Sequence, residues 1–264
     1  LSMAYENLAA LYDGLMQDID YEEWARYLDD LLRRFACPGK VLVDLGCGTG
    51  NITIPLARLG WQVTGLDRSE AMLEEARQKS AVFGVQVEWL RRDMTQPELA
   101  DLAPQAVIAT FDAFNYILEP EALQMMLQEL YWSMAEGGLL IFDLNTPYKL
   151  RQTLGDNLYS YHDEQVDYIW ENHWDAEDDI TQMQLTFFVR DEATGLYRRS
   201  QEYHEEKIYE PEMVKMWLAL AGFTVEALYE PLSFEPLTDV TDQAKVIFVA
   251  RRPKDDDAWE DEAQ

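Results

Sequence analysis

Apolar residues recur along this chain with two alternating periods, and the alternation predicts a layered fold. Trp24, Tyr27, Leu28, Leu31, Leu32 and Phe35 stand at helical spacing, an amphipathic helix that Pro38-Gly39 ends. Short apolar runs then predict strands at 41–45, 61–66 and 85–90, with helices over about 51–59 and 70–81 between them and Ser69 as N-cap of the second. A fourth strand at 106–111 leads into a helix whose inner face carries Leu123, Met126, Leu127, Leu130, Tyr131 and Met134. Gly137-Gly138 stops it, and 139–144 is a fifth strand, apolar enough for burial on both faces. Strands separated by helices need right-handed crossovers and so a parallel sheet.

From about 156 to 209 the period falls to two. The run 166–174 is followed by Met183, Leu185, Phe187 and Val189 alternating with Gln182, Gln184, Thr186 and Phe188, then by a turn at 191–195 and an extended run at 196–209. That pattern predicts a three-stranded antiparallel meander inserted into the α/β domain. Helical spacing returns at Val214, Trp217, Leu218 and Ala221, between Pro211 and Gly222, and strands at 223–229 and 244–251 follow. The expected fold class is α/β, a doubly wound, seven-stranded, mostly parallel sheet with an inserted antiparallel β meander. Residues 1–155 and 210–252 form its main domain and 156–209 a lid or substrate subdomain. Residues 253–264, six of them acidic between Asp255 and Glu262, are expected to be a disordered tail.

Composition narrows the function classes. With 264 residues, 48% of them hydrophobic, the chain has material for one large domain or a domain with an insertion. It has no apolar run of about 18 residues, and its opening residues show no basic and apolar leader. Cys37 and Cys47 do not make a disulfide framework, so a cytoplasmic location with no membrane partner is expected. Fifty acidic against 21 basic residues give a formal charge of −29. The basic groupings are pairs, Arg33-Arg34, Arg91-Arg92, Arg198-Arg199 and Arg251-Arg252, too scattered to hold a phosphate backbone, and nucleic acid is excluded as a partner.

The candidate chemistry lies at 41–51, Val-Leu-Val-Asp-Leu-Gly-Cys-Gly-Thr-Gly-Asn. A buried strand there ends in three glycines and opens a helix, while Asp67, 21 residues after Gly46, stands at the tip of the next strand where it can accept from two ribose hydroxyls. Gly46 permits the turn off the strand, Gly48 lets backbone approach a ligand, and Gly50 relieves crowding at the helix start, whose N–H groups are unpaired. A dinucleotide fingerprint needs Gly or Ala at position 51, where this chain has Asn, which disfavours an NAD-dependent oxidoreductase.

The spacing G-x-G-x-G with Asp44 two residues ahead, in VDLGCGTG, closely resembles motif I of class I S-adenosylmethionine-dependent methyltransferases, a Rossmann-like family. The resemblance implies S-adenosylmethionine as cofactor, with Asp44, Gly46, Cys47, Gly48 and Asn51 around its methionine end. It implies Asp67 and Arg68 at the ribose and Asp93-Met94 at the adenine. Phe111, Asp112 and Asn115, in the stretch after the fourth strand, would flank the transferred methyl. Residues 11–16, with Tyr21 and Trp24, and the inserted strands are similar to a bacterial small-molecule subgroup. That subgroup holds uncharacterised Firmicutes-type enzymes and relatives of sugar N-methyltransferases and glycine N-methyltransferase. It implies that Tyr12 covers the cofactor; Trp24 reads as core.

Methyl transfer from a sulfonium is an in-line displacement for which orientation and exclusion of water supply most of the catalysis. A dedicated base is not obligatory, and no nucleophile triad or metal-ligand spacing appears; no metal is expected. His162, His173 and His204 all fall in the predicted meander, and His204 is the candidate for a substrate-facing base or orienter. Between 156 and 206 there are 14 acids against Arg190, Arg198 and Arg199, which favours a neutral or cationic small-molecule acceptor, such as an amine or amino sugar. The alternative is a non-catalytic, cofactor-binding regulatory or scaffold protein, since binding residues do not by themselves establish turnover.

Overall fold

The computed structural model describes residues 19–191 and 193–254. Tyr12 and residues 255–264 of the expected tail lie outside the described residues. Helix α1 (Tyr21–Arg34) starts where Asp20 accepts the Glu23 N–H, and its terminal charges, Glu22 and Glu23 against Arg33 and Arg34, complement the helix dipole. The main domain continues as β1 (Val41–Leu45), α2 (Thr53–Arg58), β2 (Gln62–Asp67), α3 (Glu70–Phe83), β3 (Glu88–Arg91) and β4 (Ala106–Ala109). A 3₁₀ turn (Ala113–Tyr116), α4 (Pro120–Ser133) and β5 (Leu139–Asn145) follow. Ser69 caps α3 as expected, accepting from the Met72 N–H at 3.3 Å, and Gly84 closes it at φ 67°.

After β5 comes a π-helical segment (Tyr148–Leu154), for which the sequence pattern gave no signal, and then a second sheet. Its strands are β6 (Leu158–His162), β7 (Val166–Asp175), β8 (Ile180–Arg190) and β9 (Tyr197–Lys207), four rather than the three expected. All five residues of β6 are exposed, so no buried face imposes an alternation on it. Helix α5 (Pro211–Ala221), β10 (Thr224–Tyr229) and β11 (Lys245–Arg251) then complete the main sheet.

The main sheet has seven strands in the order β10-β11-β5-β4-β1-β2-β3, of which only β11 runs against its neighbours. Leu28, Leu31 and Leu32 of α1 with Leu56 of α2 pack on one face, over Leu42, Ile108 and Ile141. Leu123, Met126, Leu127 and Leu130 of α4 with Val214 and Leu218 of α5 cover the other, over Val43, Val107 and Phe142. Chain order reverses between β1 and β4, and in such sheets ligands bind in the crevice beyond the strand ends at this switch point.

The second sheet joins the first through a small apolar cluster, Leu150, Leu154, Met183 and Ile208. Two hydrogen bonds reinforce it: the Tyr209 hydroxyl donates to the Ile117 carbonyl at 2.5 Å, and the Asn115 amide to the Lys207 carbonyl at 3.0 Å. Among the described residues, no helix is long and apolar enough to cross a membrane.

Candidate functional site

Gly46, Gly48 and Gly50 all take positive φ, at 70°, 53° and 78°. Helix α2 begins at Thr53, two residues later than the pattern implies, so Gly50 does not relieve crowding at a helix start. It relieves crowding against Trp89 of β3: a Cβ on Gly50 would stand 2.6 Å from the indole, and so would one on Gly65. Trp89, anchored by its indole N–H on the Ser80 hydroxyl, thus wedges beneath loop and strand together. Gly65→Ala is expected to cost about 1–3 kcal/mol through overpacking, read as a lowered urea midpoint with an unchanged slope.

Asp67 organises the loop from the neighbouring strand. Its Oδ2 accepts the Gly48 N–H at 2.9 Å and its Oδ1 the Ser69 N–H at 2.8 Å. Burial raises its pKa, against the pull of these bonds. Asp44, 2% exposed, accepts the Thr53 hydroxyl at 2.6 Å and is pushed up to about 7 by burial, with the Asp67 charge adding to it. Burial and the same two carboxylates push the Cys47 thiol well above its usual range. Among the described residues no cation pairs with Asp44. The floor of the site therefore carries buried negative charge that a cationic ligand would relieve.

Above this floor lies a cavity of about 280 Å³. Its walls bring together Asp44, Gly46, Cys47, Gly48, Asn51, Asp67, Arg68, Asp93, Met94 and Phe111, ten of the residues singled out from sequence. A side chain on Gly48 would meet nothing within 4 Å, so loop backbone faces open space there. Asn51 receives a hydrogen bond from Lys79 at 2.6 Å, and Asp93 accepts from the backbone N–H and hydroxyl of Thr95. Phe111 packs against Tyr21 and Trp24 of α1; Tyr21 lines the cavity, while Trp24 is in the core as expected.

Asp112 and Asn115, expected beside the transferred methyl, do not line this cavity. Asp112 takes φ 57°, which turns its carboxylate to Lys245 at 2.6 Å and its N–H to Asp143. Asn115, fully buried, staples the 3₁₀ turn to the Asn145 backbone and to the Lys207 carbonyl. Lys245 also contacts the buried Asp143, and these two carboxylates hold it charged.

His204 is not a surface histidine: it is 5% exposed and does not line the cavity, its Nδ1 standing 3.1 Å from the hydroxyl of Tyr116. Burial lowers its pKa to about 4, so it is neutral at pH 7 and too weak a base to deprotonate an ammonium. Tyr116 does line the cavity and was not singled out from sequence. Its place at the end of the 111–116 stretch is the signal that could have found it. Among the described acids of the insert only Glu202 and Glu206 are buried, on the same face of β9 as His204.

A doubly wound sheet with G-x-G-x-G at its switch point, over the buried Asp44 and the half-buried Asp67, is the frame of an enzyme that binds a cationic nucleoside cofactor. A family model described as a methyltransferase domain matches residues 42–138. A relative from Geobacillus sp. (strain WCH70), provisionally named a methyltransferase, is 34% identical over 258 residues, 95% of this chain and all of its own length. An S-adenosylmethionine-dependent methyltransferase from Clostridium acetobutylicum superposes with a TM-score of 0.84 at 28% identity, covering 95% of this chain and 99% of that one. A sugar N-methyltransferase from Streptoalloteichus shares the fold at a TM-score of 0.74 and 20% identity, covering 96% and 94%. The chain belongs to the class I S-adenosylmethionine-dependent methyltransferases.

Proposed function

We propose that this methyltransferase acts on a nitrogen of a small neutral or cationic molecule, an amine or amino-sugar-like compound. The observation that carries the reading is the inward face of β9, where Glu202 and Glu206 are buried on either side of His204, itself in contact with the cavity wall at Tyr116. Buried acids there favour an acceptor with positive or no charge over an anionic one, since burial raises Glu206 to about 8 and a nearby cation would draw its proton off while an anion would not. The fold shared with a protein named as a sugar N-methyltransferase is consistent with it.

The cavity fits S-adenosylmethionine, since the uncompensated Asp44 calls for a cation and the loop backbone at Gly48 is open to a ligand. In this reading Asp44, Gly46, Cys47, Gly48 and Asn51 hold the methionine end, Asp67 and Arg68 the ribose, and Asp93 and Met94 the adenine. Phe111 stands by the sulfonium, and the insert at 156–209 closes over the acceptor. When bound, S-adenosylmethionine would supply an electrophilic methyl group for in-line transfer to the acceptor's lone pair, with its sulfur as the leaving group. The chain's own contribution is to bind, orient and exclude water.

S-Adenosylhomocysteine release is expected with glucosamine or methylamine as acceptor, and calorimetry is expected to detect binding of S-adenosylmethionine but not of NAD. Turnover on carboxylic acids or tRNA, with none on amines, overturns the amine reading.

A further inference from the structure

The turn after β4 holds a costly backbone shape, and what that shape presents to the cavity is Tyr116. Phe111 and Asp112 both sit at φ 57°, in the left-handed region that side-chain-bearing residues rarely adopt. Such strain persists only where the surroundings over-determine it, and it clusters at functional sites. The Asp112 N–H is held by Asp143, and Asn115 exchanges hydrogen bonds with the Asn145 backbone while also donating to the Lys207 carbonyl. The turn is thereby fixed to β5 and to β9 at once. Tyr116 ends it with the ring in the cavity wall and the hydroxyl at His204 Nδ1, across the junction of the two sheets.

We propose that Tyr116 orients the methyl acceptor: its hydroxyl donates to His204 Nδ1 and, through its remaining lone pair, accepts an N–H from the acceptor, turning the nitrogen's own lone pair towards the methyl carbon. This rests on the amine reading above. Tyr116 is then a catalytic residue and His204 a positioning residue that acts only through it. The direction of the tyrosine's hydrogen bond matters. Were the phenol proton instead given to the acceptor, it would occupy the lone pair that must attack.

The surroundings favour that direction. Among the described residues, Asp112 from the turn and Arg68 from the end of β2 act on the imidazole with opposite effects, and Glu202 and Glu206 lie two residues away along its own strand. Burial outweighs them, and the ring stays neutral at the pH values where an amine has a lone pair to offer. A neutral imidazole with its proton on Nε2 presents Nδ1 as an acceptor to the tyrosine.

Tyr116→Phe, His204→Ala, His204→Gln and the Tyr116→Phe/His204→Ala double variant test this with glucosamine as acceptor. Tyr116→Phe and His204→Ala are each expected to lower kcat roughly tenfold with unchanged affinity for S-adenosylhomocysteine. His204→Gln, which can still accept from the tyrosine, is expected to regain most of the loss. The double variant should be no slower than Tyr116→Phe alone, since both remove one interaction. Unchanged rates, or additive losses, overturn the proposal. If His204→Ala fails to bind S-adenosylhomocysteine, the comparison of His204→Gln with Tyr116→Phe decides. Nitrogen-15 NMR of the S-adenosylhomocysteine complex reads the same hydrogen bond without turnover: His204 Nδ1 is expected to be unprotonated at pH 7 and its shift to move in Tyr116→Phe, whereas a protonated Nδ1 overturns the proposal. If the native enzyme methylates neither glucosamine nor methylamine, the amine reading fails and the imidazole spectrum alone decides the tyrosine's orientation.

Discussion

Asp67→Ala is expected to lower affinity for S-adenosylmethionine roughly 100- to 1000-fold while the chain stays folded. The carboxylate has two tasks. Towards the protein it accepts the Gly48 and Ser69 N–H groups, tying the glycine loop to the tip of β2. Towards the cavity, which it lines, its remaining lone pairs face the place proposed for the ribose. Alanine leaves both backbone donors and both sugar hydroxyls without their acceptor. Hydrogen bonds to a charged group are worth about 1.5–3 kcal/mol each, so two lost from the ligand account for a change of that size. Asp67→Asn, which keeps one acceptor oxygen, should fall between the two. Calorimetry with S-adenosylhomocysteine measures the effect, and far-ultraviolet circular dichroism confirms the fold; a loss below about tenfold would remove Asp67 from the ribose.

The legible parts of the molecule are those where local pattern and tertiary surroundings agree. Strand β5 is buried at all seven positions and β4 at all four, and the apolar runs Leu139–Phe142 and Ala106–Ala109 admit little else. The glycine loop was legible because backbone conformation, close approach and the carboxylate at β2 impose residue types at fixed spacing. Strand β6 was not, since all five of its residues are exposed and no buried face imposes an alternation. The start of α2 was misplaced because Trp89, 39 positions beyond Gly50, dictates the shape of that loop.

The inward face of β9 hid for a related reason. Glu202, His204 and Glu206 alternate with Tyr203 and Glu205, and a polar stripe beside a polar stripe has no visible inside. What buries it is the turn at 113–116, which meets His204 from 88 residues away. Proximity in sequence to a cavity residue does not set direction: Asp112, at φ 57°, turns its carboxylate to Lys245, and Asn115 is drawn inward by the Asn145 backbone and the Lys207 carbonyl.

Cofactor affinity is expected to fall as pH drops below 7, and Asp44 is the cause. With its carboxyl pushed up to about 7, the free protein must release a proton there before the cofactor's ammonium can be neutralised. Below pH 7 the affinity should therefore drop up to tenfold per unit, roughly 100-fold between pH 7 and pH 5, and Asp44→Asn should bind weakly but with little dependence on pH. The same carboxyl acts on the stability of the free protein with the opposite sign. Its folded-state pKa lies above the unfolded value, so between about pH 4 and 7 the folded chain holds the extra proton and loses stability as pH rises, by about 1.4 kcal/mol per unit. Glu206, also raised by burial, adds to this trend, while the lowered His204 opposes it between its unfolded value and about 4. The difference in unfolding free energy between native enzyme and Asp44→Asn isolates the Asp44 contribution. It must grow in favour of the native enzyme as pH falls from 7 to 5, and a flat difference would mean that Asp44 is already ionised in the empty site. S-Adenosylmethionine at saturating concentration should erase the trend, because proton and cofactor cation then compete for one buried charge.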